Sequence, residues 1–184
     1  MPSRVTRLLA AEHADSQAKL RACVGPDDAV DLRRFDDFRH ALLRHIAIEE
    51  KVLMPALTKA LGRPPLFQNG LRKDHAGVAA LCVPTPTREW VEDLRELLEH
   101  HQRVEEAPGG FYALVDHHLG GDPLLLDAVA TFPALTLPEF VRGPKVRDLL
   151  HEVLALTGIT DGSVAPRPSA PGGKMPARPS RPRR

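Results

Sequence analysis

Two stretches of this 184-residue chain carry the same short pattern, His-x-x-x-Glu-Glu. They run from His45 to Glu50 and from His101 to Glu106. The two histidines are 56 residues apart, and so are Glu49 and Glu105. On a helix, residues at i and i+4 project from the same side, about 6 Å apart or less. Each pair therefore offers an imidazole and a carboxylate to one place. That ligand set suits iron, manganese and zinc. Two lone histidines, His13 and His75, alternate with the pairs, 62 residues apart. The order His, HxxxE, His, HxxxE predicts a pseudo-twofold site.

The phase of these residues decides whether they face inward. Phe35, Phe38, Leu42, His45, Glu49, Val52 and Ala56 follow alternating steps of three and four, the stripe of a helix packed in a bundle. Leu94, Leu97, His101, Glu105 and Pro108 repeat the pattern. Phe67, Leu71, His75, Val78 and Cys82 put His75 on an apolar stripe, and Val5, Leu9, His13 and Leu20 do the same for His13. Burying an unpaired carboxylate costs several kcal/mol. Two carboxylates and four imidazoles in one core layer need a shared solution, and a pair of cations supplies it. Each metal then takes two histidines and shares Glu49 and Glu105 as bridges. With a solvent bridge that makes about five ligands per metal, so an octahedral ion keeps an open position for a small molecule.

The stretch His45-Ile-Ala-Ile-Glu49-Glu50-Lys-Val-Leu-Met-Pro55, with Arg72-Lys-Asp-His75 and Glu12-His13, resembles the hemerythrin-like, HHE cation-binding domain family over roughly residues 4–107. The resemblance implies an up-down-up-down four-helix bundle around a non-haem di-iron centre. It implies His13, His45, Glu49, His75, His101 and Glu105 as ligands, with the two glutamates bridging. There are departures. The oxygen carriers of that family use an additional histidine four residues after the third-helix one, where this chain has Ala79. Their last carboxylate falls five residues after its histidine, whereas here Glu105 stands at four and Glu106 at five. Pro108-Gly109-Gly110 breaks the chain directly after the second motif. Beyond it, Tyr112 lies seven residues from Glu105 and reaches the metals only if the helix resumes in phase.

The elements that must position these residues are all helical. Turn punctuation divides the chain into helices over 4–23, 28–60 and 67–83, and a fourth that opens at Thr85-Pro86-Thr87 and ends at Pro108. No segment alternates like a half-buried strand. The expected fold is all-α: a four-helix di-metal bundle over 1–107, then a helical extension over 108–160 packed on it. The extension's pieces are 111–119, 123–132 and 144–157. Residues 161–184 are expected to form a disordered Pro- and Arg-rich tail, with too little apolar surface to order it.

Charge and composition narrow the function classes. The formal net charge is +1, but residues 163–184 hold six basic residues and no acid, leaving 19 basic against 24 acidic in the body. That balance argues against a dedicated nucleic-acid domain. No apolar run approaches the roughly 18 residues of a membrane span. No secretory h-region is evident. Cys23 and Cys82 cannot build a disulfide framework, so a reducing, cytoplasmic setting is expected. They read as small core residues, and Trp90 as core or interface. His40 and His100 fall beside the stripes, and His117, His118 and His151 fall in the extension. The expected function is binding of, or reaction with, oxygen, nitric oxide or peroxide at two carboxylate-bridged iron ions, with manganese or zinc as other occupants. The alternatives are a catalase-like enzyme, or an iron or redox sensor or iron donor without catalysis.

Overall fold

The computed structural model describes residues 1–141. Among them the protein is all-α, with no strand. Its helices are α1 (Arg4–Ala22), α2 (Leu32–Ile48), α3 (Met54–Leu61), α4 (Gln68–Leu81), α5 (Arg88–Glu106), α6 (Phe111–Leu119) and α7 (Pro123–Ala130). Among the described residues no helix is long and apolar enough to cross a membrane. The expected helix over 144–157, the tail over 161–184 and His151 lie outside the described residues.

Short polar side chains start the helices by accepting the first orphan N–H groups. Ser3 accepts from Thr6 N at α1, Asp31 from Arg33 and Arg34 at α2, and Thr87 from Trp90 at α5. α2 therefore begins at Leu32 rather than at residue 28. Asp28 itself has φ 63, outside any helix.

The expected helix over 28–60 is also not continuous. Glu49–Leu53 forms a π-helical turn between α2 and α3. Pro55 supplies the reason. It has no N–H to return to the carbonyl one α-turn back, and the adjacent Met54 N–H reaches to the Glu49 carbonyl, five residues back. A π-turn inserts one residue into the helical register. The buried stripe accordingly runs through Phe35, Phe38, Leu42, His45 and Glu49, then continues through Leu53 and Leu57. The predicted Val52 and Ala56 are displaced to half-buried positions. The single inserted residue keeps an apolar face inward on both sides of Glu49.

Two apolar clusters build the core. One gathers Leu20, Phe35, Phe38, Val78, Trp90 and Leu94. The other gathers Leu9, Ile48, Leu53, Leu57, Phe111 and Val115. Along α1 and α4 the residue predicted for the site lies between them, His13 between Leu9 and Leu20 and His75 between Leu71 and Val78, and along α5 His101 follows Leu98 of the first cluster. The polar layer is thus walled by hydrocarbon above and below. Cys23 and Cys82 share the first cluster. Burial pushes their thiols up to about 11 and about 12, which makes them inert. Trp90 is buried and donates to the Leu81 carbonyl at 2.8 Å.

α6 and α7 complete the second cluster, packing on α3, α5 and α1. Gly110 makes the tight α5–α6 turn. A Cβ there would lie 2.5 Å from the Val104 carbonyl oxygen and 2.7 Å from that of Glu105. Asp116 ties α6 to the start of α1, accepting from the Thr6 hydroxyl at 2.6 Å and from Ser3 N at 2.9 Å. After α7 the irregular chain returns along α2, held by two arginines. Arg44 donates to the carbonyls of Val129 and Phe132, and the buried Arg39 donates to the Pro138 carbonyl at 2.7 Å.

Candidate metal centre

All six residues singled out by spacing are buried in one layer. His13, His45, His75 and His101 come from α1, α2, α4 and α5. Glu49 opens the π-turn, and Glu105 ends the buried face of α5. Glu49 and Glu105 have no exposed surface at all.

The donors divide into two groups whose ligand atoms lie within 4.8 Å of one another. One is His13, His45, Glu49 and Glu105. The other is Glu49, His75, His101 and Glu105. Each carboxylate sends one oxygen to each group. Glu49 Oε1 lies 3.3 Å from His45 Nε2, and its Oε2 lies 3.3 Å from His75 Nε2. Glu105 Oε2 lies 3.4 Å from His13 Nε2, and its Oε1 lies 3.2 Å from His101 Nε2. Both clusters can hold a metal ion, and two shared carboxylates are the geometry of a bridged pair. Donors about 2.1 Å from a common ion stand roughly 3.0 to 3.4 Å apart on adjacent octahedral or tetrahedral vertices.

Every ring turns Nε2 inward and Nδ1 outward to a further carboxylate. His13 Nδ1 lies 2.6 Å from Glu106, His45 Nδ1 2.8 Å from Glu12, His75 Nδ1 3.1 Å from Glu50 and His101 Nδ1 3.6 Å from Asp74. An ionised carboxylate only accepts, so at His13, His45 and His75 the outer nitrogen carries the proton and a neutral ring keeps its Nε2 lone pair for a metal, while Asp74 faces His101 Nδ1 without a hydrogen bond. These contacts close a ring. The acid on α1 serves the histidine of α2, the acid next to Glu49 serves α4, that of α4 serves α5, and that of α5 serves α1. Each acid sits beside a layer residue in sequence: Glu12 beside His13, Glu50 beside Glu49, Asp74 beside His75, Glu106 beside Glu105. One residue is about 100° around a helix, which turns each acid toward the neighbouring helix. Spacing along one helix could not show this. The sequence signal was the acidic neighbour at all four positions.

The electrostatics are those of a site in which protons stand where a metal would. Burial alone disfavours a charged imidazole. For His45 the Glu49 charge and the Glu12 hydrogen bond outweigh that and lift it to about 10. For His75, the adjacent carboxylates of Glu105 and Glu49 and the hydrogen bond to Glu50 do so, to about 11. His101 rises to about 9 through Asp74 and Glu105. Burial and their mutual repulsion push the carboxylates the other way. The surrounding imidazoles prevail, holding Glu49 and Glu105 well below the ordinary range. Even so, Glu49 Oε2, His75 Nε2 and both Glu105 oxygens have no hydrogen-bond partner. Four metal-facing atoms without partners in a dry layer are what a bound cation would satisfy. The donor set therefore fits a pair of metal ions.

The structure also brings Tyr112 into this layer. The helix restarts at Phe111, and the Gly109-Gly110 turn swings α6 back against α1 and α5. The Tyr112 hydroxyl donates to Glu49 Oε1 at 2.8 Å and lies 3.1 Å from His13 Nε2 and 3.3 Å from His45 Nε2. Its ring stacks on that of His13 at 5.4 Å. Burial and the charges of Glu49 and Glu105 push the hydroxyl well above its usual range. The other histidines among the described residues stay outside. His40 is half-buried, and its Nε2 lies 4.0 Å from Asp36. His100, His117 and His118 are exposed. Comparisons of the chain with protein-family models, with curated proteins and with solved structures give no match.

Proposed function

We propose that this chain is a non-haem di-iron protein of hemerythrin-like type, an up-down-up-down four-helix bundle that binds or reacts with oxygen, nitric oxide or peroxide at a carboxylate-bridged centre. The observation that carries the reading is the pair of fully buried carboxylates, each sharing its oxygens between two histidine pairs. The packing of α1 on α2, α4 on α5 and α1 on α5, through short connections, supports the bundle. Hard carboxylates with imidazoles favour iron, and manganese or zinc could occupy the same donors.

When bound, iron supplies one-electron chemistry and a coordination position for a small ligand. The chain does the rest. Glu106, Glu12 and Glu50 hold the imidazoles of His13, His45 and His75 in the metal-binding tautomer, and Asp74 faces that of His101. The two apolar clusters exclude bulk water and admit only a small partner. Tyr112 holds a proton within 2.8 Å of Glu49. The test is to load the chain with ferrous iron anaerobically and add oxygen, nitric oxide or peroxide in turn. At least one should change the visible spectrum. No change with any of the three would refute the reading.

A further inference from the structure

We propose that Tyr112 is itself a ligand of the metal held by His13 and His45, so that the small molecule enters at the other metal, held by His75 and His101. The inference rests on the di-iron reading above and makes the two halves of a pseudo-twofold site unequal.

The geometry points to a coordination vertex rather than an outer contact. Donors about 2.1 Å from one octahedral ion stand about 3.0 Å apart along an edge. The Tyr112 oxygen is 2.8 Å from Glu49 Oε1, 3.1 Å from His13 Nε2 and 3.3 Å from His45 Nε2. These are three of the four metal-facing atoms of that half, the fourth being Glu105 Oε2. An outer hydrogen-bond donor would meet Glu49 on the side of the carboxylate away from the imidazoles. It would not touch both Nε2 atoms as well. The anchoring is equally specific. Asp116, one turn after Tyr112, is fixed to the start of α1 through Thr6 and Ser3, and the Tyr112 ring lies against His13.

The other half has no such group. His75 Nε2, Glu49 Oε2 and Glu105 Oε1 have no hydrogen-bond partner among the described residues. One turn after His75 stands Ala79, which offers no donor. With Glu105 Oε2 on the His13 side, the inner atoms without a partner number four, and three of them lie where Tyr112 is absent; that is where a position stays open for an exogenous ligand. Ligation forms a bond from the tyrosine oxygen to the metal and breaks its O–H bond. The proton leaves to solvent and no electron moves.

The full chain, loaded with ferrous iron and then oxidised, tests this by resonance Raman spectroscopy and azide titration. The wild type should show phenolate modes and bind one azide per iron pair. Tyr112→Phe should keep both irons, lose the phenolate modes and take up a second azide. Ala79→His, which places a donor beside His75, should weaken azide binding at least tenfold while the phenolate modes persist. It also decides the matter if Tyr112→Phe does not fold. Two irons without phenolate modes would overturn the inference and leave the di-iron reading standing. Phenolate modes with azide binding unchanged in Ala79→His would overturn the assignment of the open position. A wild type that takes up no iron would sink both readings.

Discussion

Replacing Glu12 by Gln removes one charge next to the centre and leaves nearly the same shape. Glu12 accepts from His45 Nδ1 at 2.8 Å while Arg44 lies 3.5 Å from its other oxygen. Gln keeps a carbonyl in reach, so the His45 tautomer survives. What is lost is the charge assistance, and a charge-assisted hydrogen bond is roughly twice as strong as a neutral one. Removing a carboxylate that orients a metal-bound histidine costs about 10- to 100-fold in metal affinity. Arg44 already offsets part of the Glu12 charge, which places Glu12→Gln at the low end, about tenfold or near 1.4 kcal/mol. Glu12→Ala, which removes the acceptor too, should approach the upper end. The loss should fall on the site of His13 and His45 and spare the other. Asp74→Asn should cost less, because its 3.6 Å separation from His101 is beyond a good hydrogen bond. Competition against a chromophoric chelator, resolved into two binding steps, measures this. Glu12→Gln binding both metals with wild-type affinity would refute the reasoning, and so would Asp74→Asn being the more damaging change.

In the metal-free chain the raised imidazoles of His45, His75 and His101 contribute stability that is fully present below their ordinary value of 6.5 and lost as pH rises through about 10, 11 and 9. The depressed Glu49 contributes above 4.5, and that share is lost as pH falls through about 2. Metal-free protein should therefore show a falling Tm from about pH 6.5 upward, whereas metal-loaded protein, whose ligands are already deprotonated, should not; parallel Tm profiles by calorimetry would contradict this. Gly110→Ala should displace α6, because its new methyl meets the carbonyls of Val104, Glu105 and Ala107. We expect a loss of about 1 to 3 kcal/mol in urea unfolding, together with weakened metal binding; a wild-type midpoint would show that the turn does not need glycine.

The buried polar layer was legible because it is a local property of each helix. His13, His45, His75, His101, Glu49 and Glu105 lie on stripes whose phase depends only on residues within two or three turns. What failed was whatever depends on an irregular backbone. The π-turn at Glu49–Leu53 follows from Pro55, which reads equally well as an ordinary kink, and it moved the buried face from Val52 and Ala56 to Leu53 and Leu57. Tyr112 was visible only as a condition, since its place depends on how the Pro108-Gly109-Gly110 turn redirects the chain. The ring of outer carboxylates and the arginines that hold the returning segment are contacts between elements. No periodicity within one helix encodes them.

Metal content per chain tests the central claim most directly. Wild type and His45→Ala would be reconstituted with ferrous iron without oxygen, freed of loose metal and measured by elemental analysis. The account predicts about two irons per chain in the wild type and a clear loss in the variant, because His45 is one of the two imidazoles that the described residues bring to its half of the site. No bound metal in the folded wild type, or full occupancy in His45→Ala, would contradict it.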